Sequence, residues 1–315
     1  MSTTEVGTCV FPINKILTHT NPHIDEICGI WLLRKFGGNH FRGIASAPLE
    51  FRSGGNTKFE MTAEEYLEQG ILLVGIGGGM FDEHPTVDAE RKKEKCAATL
   101  IAEYLGVNDN PELDKILDFV RRNDLNGNES MFDIGSICLK MYSIMSTEKV
   151  ILWATLALET IYREQDQFNR VAAEELKKAR IYSFRSRGSA IKIAAIESDN
   201  EVVAKFARSA RGGNIAIVIQ KQNSGNVQIF LNRRFGWIPM QKIARFIRLA
   251  EARFGGKAIT TDKEILEREG SVQGAEDWHF FKKGQMLLNG SSTHPDVPPT
   301  KIPFGEIAAI ICRCI

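Results

Sequence analysis

The feature that most constrains the fold is a short, continuous apolar run over residues 70–76. A continuous apolar run of this length is typical of a strand that is buried on both faces, as in a parallel sheet. Strand patterns alternate with helical spacing along the first half of the chain, which predicts a parallel sheet covered by helices, an α/β domain. The expected elements are a strand over 10–17 and helices over 25–36, 93–105 and 111–122.

A long helical pattern without glycine or proline covers residues 149–180. We interpret it as a helix that connects two domains, one over 1–148 and one over 181–315. The 315 residues of the chain suffice for two domains, because each can bury a core of its own. The second domain is predicted to be a smaller α+β unit. Its expected elements are strands over 190–197, 215–220 and 227–231 and a helix over 239–254.

The helix expected over 239–254 is amphipathic. Its apolar positions recur with helical spacing, so that face is expected to be buried. The basic side chains Lys242, Arg245 and Arg248 are expected to lie more outward. Near the end of the chain, Cys312 and Cys314 are expected to pack as ordinary residues of a strand end, because no second cysteine pair completes a metal site.

The composition is that of an ordinary globular protein, with 43% hydrophobic and 25% charged residues. No apolar run approaches the roughly 20 residues of a membrane-spanning helix, and the N-terminus lacks the basic and apolar segments of a secretory signal. The six cysteines are scattered, which favours a reduced protein over a disulfide-linked secreted one. We therefore expect a cytoplasmic protein that does not bind membranes.

The formal net charge of +1 conceals an uneven distribution of charge. Residues 1–180 carry 20 basic and 27 acidic side chains, whereas residues 181–315 carry 20 basic and 12 acidic ones. An acidic half that contains metal ligands and a basic half beside it suit a polyanionic substrate. The alternative is that surface charge differs between the two domains by chance.

Two histidines and an aspartate follow the first strand pattern. They are His19, His23 and Asp25, in a loop that leads into the helix over 25–36. Imidazole and carboxylate groups together suit Mn, Zn, Fe or Mg at a hydrolytic centre. A lone histidine is more often a packed core residue, but three such side chains so close together in one loop favour metal binding.

A glycine-rich loop over 75–79 follows the apolar run, and Asp82, Glu83 and His84 come soon after it. The glycines allow the backbone to turn tightly and to approach a ligand closely, although a flexible loop would also contain them. Three consecutive side chains that can bind metal or transfer protons are uncommon after an apolar strand, so at least two are predicted to belong to a site. Asp124 is a further candidate, although on its own it is more typical of a turn residue.

The order of these motifs resembles the DHH phosphoesterase superfamily, over roughly residues 12–127. Within it, the chain is most similar to the branch named for melanocyte proliferating gene one, described as metal-dependent nucleases. The resemblance implies a centre of one or two Mn²⁺ ions, or of Mg²⁺ or another divalent metal. The implied metal ligands are His19, His23, Asp25, Glu83 and Asp124, and the implied catalytic residues are Asp82 and His84.

Two positions depart from the superfamily pattern. The second strand usually ends in an aspartate that bridges two metal ions, and this chain has Gly75 there. The middle residue of the triplet that names the superfamily is Glu83 instead of histidine. A missing bridging carboxylate weakens a two-metal site, which holds the attacking and leaving oxygens together. Glu83 remains a hard oxygen ligand that suits Mn²⁺ or Mg²⁺.

The basic half contains arginines interspersed with glycine and aromatic residues. Arginine binds phosphate bidentately, and Phe235 or Trp237 could stack on a base; the alternative is a solvated basic face. The loop over 289–294 loosely resembles the glycine-rich, histidine-bearing loop with which DHH-type enzymes hold substrate phosphate; the alternative is a surface turn. The predicted substrate-binding residues are Arg185, Arg187, Arg211, Arg233, Arg234, Asn289, Gly290, Ser291 and His294.

The resemblance, together with the basic second half, implies a metal-dependent phosphodiesterase, a nuclease that acts on RNA or DNA ends or on short oligonucleotides. His84 is expected to contact the scissile phosphate or to protonate the leaving oxygen. The alternative is a degenerate relative that binds nucleotide or nucleic acid without hydrolysing it, and a small phosphorylated metabolite is a third candidate substrate. The sequence is also compatible with a homodimer.

Overall fold

The structure is a computed structural model that describes residues 11–53, 59–84, 94–127, 130–186, 188–291 and 294–315. The chain divides into two compact units, Met1–Gln165 and Asp166–Ile315, and each is described by itself. The division falls within the expected connecting helix. That stretch is helical over 147–176, and a strand begins at Arg180, so the helical stretch ends earlier than its sequence pattern indicates.

The strands of the N-terminal unit are β1 (Phe11–Pro12), β2 (Lys15–His19), β3 (Phe41–Arg42), β4 (Leu49–Arg52) and β5 (Ile71–Leu73). β2 lies between β4 and β5 and pairs in parallel with both, with Leu17 opposite Glu50 on one side and Leu73 on the other. β1 and β3 form a separate parallel pair. The parallel sheet predicted for this half of the chain is confirmed.

The helices of this unit are α1 (Ile24–Phe36), α2 (Ala63–Glu68), α3 (Ala97–Tyr104), α4 (Asp114–Asn126), α5 (Ile134–Met141) and α6 (Thr147–Asp166). α1 is buried along most of its length, from Ile24 to Leu33. It packs so closely on α3 that a Cβ on Gly29 would lie 2.6 Å from Cδ1 of Ile101. The absence of a side chain at Gly29 therefore allows these two helices to approach.

β2 and β5 end side by side, because Leu17 pairs with Leu73 and the N–H of Val74 donates to the Leu17 carbonyl (3.0 Å). Neighbouring parallel strands place the loops that follow them at the same edge of the sheet. The loop after β2 leads into α1, and the loop after β5 carries the triplet 82–84. The fold thus brings two of the predicted site segments to one edge.

The strands of the C-terminal unit are β6 (Arg180–Ser186), β7 (Ser189–Glu197), β8 (Ile217–Lys221), β9 (Val227–Leu231), β10 (Gly270–Val272), β11 (Ala275–Phe281) and β12 (Met286–Leu288). They form one sheet in the order β10-β11-β12-β9-β8-β7-β6. β7 and β8 pair in parallel, and the other neighbours pair antiparallel. The second unit is therefore a mixed α and β structure with more strands than the sequence pattern indicates.

The helices of this unit are α7 (Ala172–Leu176), α8 (Val202–Arg208), α9 (Met240–Gly255), α10 (Lys263–Glu267) and α11 (Phe304–Cys314). They cover both faces of the sheet, because Ile193 of β7 packs in one core with α9 and α11, and Ala194 packs in another with α8. Cys312 and Cys314 lie in α11, so the expected strand end is wrong. Among the helices that the structure describes, none is both long enough and apolar enough to cross a membrane.

Arg248 lies inside the C-terminal unit, although the helical pattern places it outward. It is fully buried on α9, and its guanidinium donates to the backbone carbonyls of Leu266 (2.7 Å), Arg268 (3.0 Å) and Gly270. Burial lowers the pKa of Arg248 to about 10, so the group stays charged at neutral pH. One buried arginine thus connects α9 to the end of α10, the start of β10 and the turn between them.

Arg248→Met is expected to lower the free energy of unfolding by about 3 kcal/mol or more, because three carbonyls would lose their donor. The matched control is Arg253→Met, at an exposed position of the same helix, with an expected change below about 0.5 kcal/mol. Urea unfolding followed by circular dichroism measures both variants. If both variants had the same free energy of unfolding, the hydrogen bonds of Arg248 would not stabilise the unit as expected.

Candidate metal centre

The first loop of the site runs from the end of β2 into α1. His19 is the partly buried last residue of β2, and His23 is the exposed residue before α1. Asp25 and Glu26 lie in the first turn of α1, where the helix dipole favours acidic side chains. Acidic residues are almost never fully buried without a partner, yet these two are only 1% and 2% exposed.

The second loop follows β5 and is held by Asp82. The N–H of Gly75 donates to the Phe81 carbonyl (2.9 Å), which closes the loop. The Asp82 carboxylate accepts from the N–H of Gly78 (2.7 Å) and of His84 (3.0 Å), and it lies 2.9 Å from Nδ1 of His84. Asp82 therefore fixes both the glycine turn and the direction of the His84 ring, which makes it a positioning residue.

Three acids from separate elements meet in this unit, and we call them the three-acid group: Asp25 of α1, Glu83 after β5 and Asp124 in the last turn of α4. One carboxylate oxygen of each lies within 4.8 Å of those of the other two. Asp25 and Glu83 are each 1% exposed, and their four carboxylate oxygens make no hydrogen bond to a described residue. A cationic group beside them is His84, whose Nδ1 lies 3.5 Å from Oε1 of Glu83. Burying acids with so few compensating contacts costs several kcal/mol. Oxygen ligands in this arrangement fit a divalent cation such as Mn²⁺ or Mg²⁺.

The pKa values of these acids reflect their burial and proximity. Burial, followed by the charge of Glu26, raises the pKa of Asp25 well above its ordinary value. Burial, followed by the charge of Asp25, raises the pKa of Glu83 to about 7. Because neighbouring carboxylates titrate together, the metal-free site retains protons up to near-neutral pH. A bound divalent cation would replace those protons, since metal ligands must be deprotonated.

The two histidines beside the acids have opposite pKa shifts. The hydrogen bond with Asp82 raises the pKa of His84, whereas burial lowers the pKa of His19. The two rings stand edge to face with their centroids 6.2 Å apart. His84 is therefore suited to carry a proton, and His19 is suited to remain a neutral imidazole.

Glu26 belongs to the site although the sequence motifs do not reveal it. Its Oε2 accepts from the N–H of His23 (2.7 Å), and its Oε1 lies 3.8 Å from Nε2 of His19. Ligand atoms of His23, Asp25 and Glu26 lie within 4.8 Å of one another, and we call these residues the helix-start group. The signal that could have found Glu26 is a pair of consecutive acids at the start of an apolar helix.

The structure brings most of the predicted site residues of this unit together. The third set of potential ligands is the triplet Asp82, Glu83 and His84, so Asp25 and Glu83 each belong to two of the three sets in the described residues. His19 belongs to none of them and instead lies beside Glu26 and His84. Its role as a metal ligand stays a prediction.

The arginines predicted to bind substrate lie in the C-terminal unit. Arg185 is exposed on the edge strand β6, and Arg233 and Arg234 are exposed in the turn after β9. Arg211 is exposed as well. Arg211 and Arg234 each donate to an asparagine side chain, at 2.6 and 2.9 Å. Arg187 lies outside the described residues.

Three of the residues predicted to bind substrate, Gly290, Ser291 and His294, border a cavity of about 300 Å³. Asn289 makes its hydrogen bonds inside the protein. Its side chain is fully buried, donates to two backbone carbonyls (both 3.0 Å) and accepts from a backbone N–H (2.9 Å). Asn289 therefore holds the surrounding backbone with its side chain, and its role in substrate binding stays a prediction.

Comparisons with known proteins give only distant structural likenesses. No protein-family model matches the chain, and no curated protein matches it. A pGpG-specific phosphodiesterase, PggH from Vibrio cholerae, matches with a TM-score of 0.22 and 10% identity, over 69% of this chain and 81% of its own. An uncharacterized protein from Helicobacter pylori G27 matches with a TM-score of 0.25 and 12% identity, over 95% of this chain and 98% of its own. Both TM-scores are too low to assign a family.

The metal-free protein is expected to lose stability as the pH rises from about 5 to about 8. Asp25, Glu26 and Glu83 all have raised pKa values in the folded protein. In this range the folded state therefore holds more protons than the unfolded chain, and stability falls as the pH rises through those pKa values. Urea unfolding in the presence of a chelator, at several pH values, measures the slope.

Glu83→Gln removes one of these titrations and is expected to flatten the pH dependence. Glu68→Gln changes an exposed glutamate of the same unit and is the matched control, with the wild-type profile expected. A Glu83→Gln profile as steep as that of the wild type would show that the slope arises elsewhere.

Proposed function

We propose that the N-terminal unit is a divalent-metal-dependent phosphodiester hydrolase. The observation that carries the proposal is the set of four buried carboxylate oxygens on Asp25 and Glu83, which lack a hydrogen-bond partner among the described residues and lie beside Asp124. The fold gains no stability from burying acids side by side, because an apolar residue in place of one acid would remove the cost of its burial. Acids arranged in this way are typical of a site that binds a cation.

The three-acid group would hold the cation through oxygen atoms, which both Mn²⁺ and Mg²⁺ prefer. A divalent cation bound there supplies Lewis acidity and lowers the pKa of water, which favours attack on phosphorus. The contribution of the chain is to keep the three carboxylates fixed on separate elements and, for Asp25 and Glu83, out of water.

His84 is the side chain best suited to act on the substrate phosphate. Its side chain is 53% exposed, so a ligand can reach it, and Asp82 fixes its ring through Nδ1. Because the bond to Asp82 raises the pKa of His84, Nε2 can present a proton to a phosphate oxygen or to the leaving oxygen. Asp82 acts through His84, as a positioning residue.

The ends of nucleic acids or short oligonucleotides are the proposed substrates. Support comes from residues 181–315, which carry 20 basic against 12 acidic side chains. Arg233 and Arg234 lie exposed within that basic half. A surface with several cations favours a ligand with several phosphates, because each contact releases counterions.

A second candidate function is nucleotide or nucleic-acid binding without hydrolysis. Gly75 favours it, because the DHH-type pattern has a carboxylate at that position, and Glu83 favours it by replacing a histidine. Under this alternative, oligonucleotide binds and remains intact with Mn²⁺ present. Hydrolysis that depends on Mn²⁺ would exclude it.

Asp25→Asn is expected to reduce Mn²⁺-dependent cleavage of an end-labelled oligonucleotide by about a thousandfold or more. The reason is that losing a ligand of the centre removes several kcal/mol of transition-state stabilisation. Initial rates at saturating Mn²⁺ measure the effect. Asp109→Asn, at an exposed position of the same unit, is the matched control with wild-type rates expected. Equal rates for the two variants would refute the proposed function.

Replacing Arg233 and Arg234 together with Ala is expected to weaken oligonucleotide binding about tenfold. Each lost phosphate contact is also expected to reduce the slope of log K against log salt by about 0.7 for a single strand. Fluorescence anisotropy with a chelator present, at several salt concentrations, measures both quantities. Lys283→Ala changes an exposed lysine of the same unit and serves as the control. An unchanged slope in the double variant would exclude the turn after β9 from the binding surface.

A further inference from the structure

Exposed apolar side chains are concentrated in one segment of the N-terminal unit. Of the fifteen large apolar residues that are exposed in the described part of the chain, eight fall within residues 131–156. They are Met131, Phe132, Leu139, Ile144, Met145, Leu152, Trp153 and Leu156. Single exposed apolar residues are ordinary on a protein surface, whereas a concentration of them marks an interaction site.

Helix α6, which ends this segment, is apolar on two opposite sides. Its inner face, with Val150, Ala154 and Leu158, packs in the core of the unit. On the outer face Leu152 and Leu156, one helical turn apart, are 59% and 58% exposed. A helix that packs on a single core normally has a polar outer face. The outer apolar stripe of α6 therefore indicates a second packing partner.

Charged residues bracket the outer stripe of α6 at both ends. Glu148 and Lys149 precede it, and Arg163 and Glu164 follow it, and all four are exposed. The order is acid then base at the first end, and base then acid at the second. The midpoint of the two pairs falls on Leu156, within the apolar stripe. The outer face is thus symmetric in position and opposite in charge about Leu156.

A second copy of α6 that runs antiparallel to the first fits this pattern. With a twofold axis at Leu156, Glu148 meets Arg163 of the second copy on one flank, and Lys149 meets Glu164 on the other. Opposite charges across two paired helices favour one orientation over another. A parallel pair would instead set Glu148 against Glu148 and Lys149 against Lys149. The charges therefore select the antiparallel arrangement.

We propose that two copies of this chain associate through the outer face of α6, antiparallel, about a twofold axis at Leu156. The same surface is used on both copies, as twofold symmetry requires. A standard interface buries roughly 800 Å² on each partner, which is more than two crossing helices supply. The exposed apolar residues within 131–145 lead directly into α6 and would extend the contact.

The first test is the oligomeric state of the full-length chain, with a chelator present so that the result is independent of the metal-dependent function. The wild type is expected to sediment as a dimer in analytical ultracentrifugation, and a dilution series gives its dissociation constant. Leu156→Arg places two like charges at the axis and is expected to weaken the dimer about a hundredfold or more. Phe254→Arg makes the matched change at an exposed apolar position of α9, with the wild-type constant expected.

A wild type that is monomeric at every concentration would overturn the proposal. A dimer that Leu156→Arg leaves intact would overturn the assigned surface.

Disulfide trapping tests the direction of the two helices. Leu156→Cys lies at the axis and is expected to link to its own copy when oxidised glutathione is added. Lys149→Cys is not expected to link to itself, because its two copies lie about 21 Å apart on antiparallel helices, beyond the reach of a disulfide. A mixture of Lys149→Cys and Glu164→Cys chains is expected to form the mixed dimer, and the wild type is the blank. Self-linking of Lys149→Cys without the mixed product would overturn the antiparallel pairing.

Exchange of two charges tests the register of the pair. Lys149→Glu sets an acid against Glu164 of the second copy and is expected to raise the dissociation constant about tenfold. Glu164→Lys added to it restores opposite charges and is expected to return the constant at least to the wild-type value. A combined variant that dissociates as readily as Lys149→Glu alone would overturn the register.

Discussion

The cost of burying neighbouring acids is the constraint on which the N-terminal unit depends. The three-acid group brings Asp25 together with Glu83 and Asp124 from two other elements. Apolar packing offsets this cost, because α1 is buried from Ile24 to Leu33 and lies close against α3 at Gly29. Without that packing the acids would move into water, where each carboxylate is better solvated. The site is therefore a property of the folded unit and not of one loop.

The loop after β5 separates the residues that hold the backbone from those that would meet a ligand. Asp82 uses its carboxylate inside the loop, on Gly78 and His84, so it is already occupied. Glu83, one residue further, makes no hydrogen bond to a described residue and lies between the acid group and the His84 ring. His84 remains half exposed. The backbone turns between these three residues. As a result, Asp82 holds the loop, Glu83 lies in the acid group and His84 faces solvent.

The confirmed predictions are those made from short sequence patterns, such as an apolar run followed by a loop. The strand before His19 and the apolar run before Glu83 specify parallel strands, and parallel strands deliver their loops to one edge. Contacts between distant segments are not visible in such patterns. Glu26 looks like an ordinary helix cap in the sequence, and only the packing places its second oxygen beside Gly75.

The positions of buried polar residues in the C-terminal unit also depend on contacts between distant segments, which sequence patterns do not show. Helical spacing assigns Arg248 to the outer face of α9. The burial of Arg248 could not be predicted from that spacing, because the carbonyls it bonds belong to a segment that comes later in the chain. The motif around Asn289 indicates a ligand contact, whereas backbone groups of the surrounding loops occupy its side chain. Four strands of the seven-stranded sheet, β6, β10, β11 and β12, were not predicted either, because strand formation depends on pairing and packing partners that only the fold supplies.

The three acids come from the start of α1, the loop after β5 and the last turn of α4, so the group forms only when most of the first unit has folded. A cation that binds the folded unit and not the unfolded chain shifts the folding equilibrium by mass action. If the proposed cation binds there, the free energy of unfolding of the first unit would rise with the logarithm of the free cation concentration. The same ion would then support both the activity and the persistence of the folded chain.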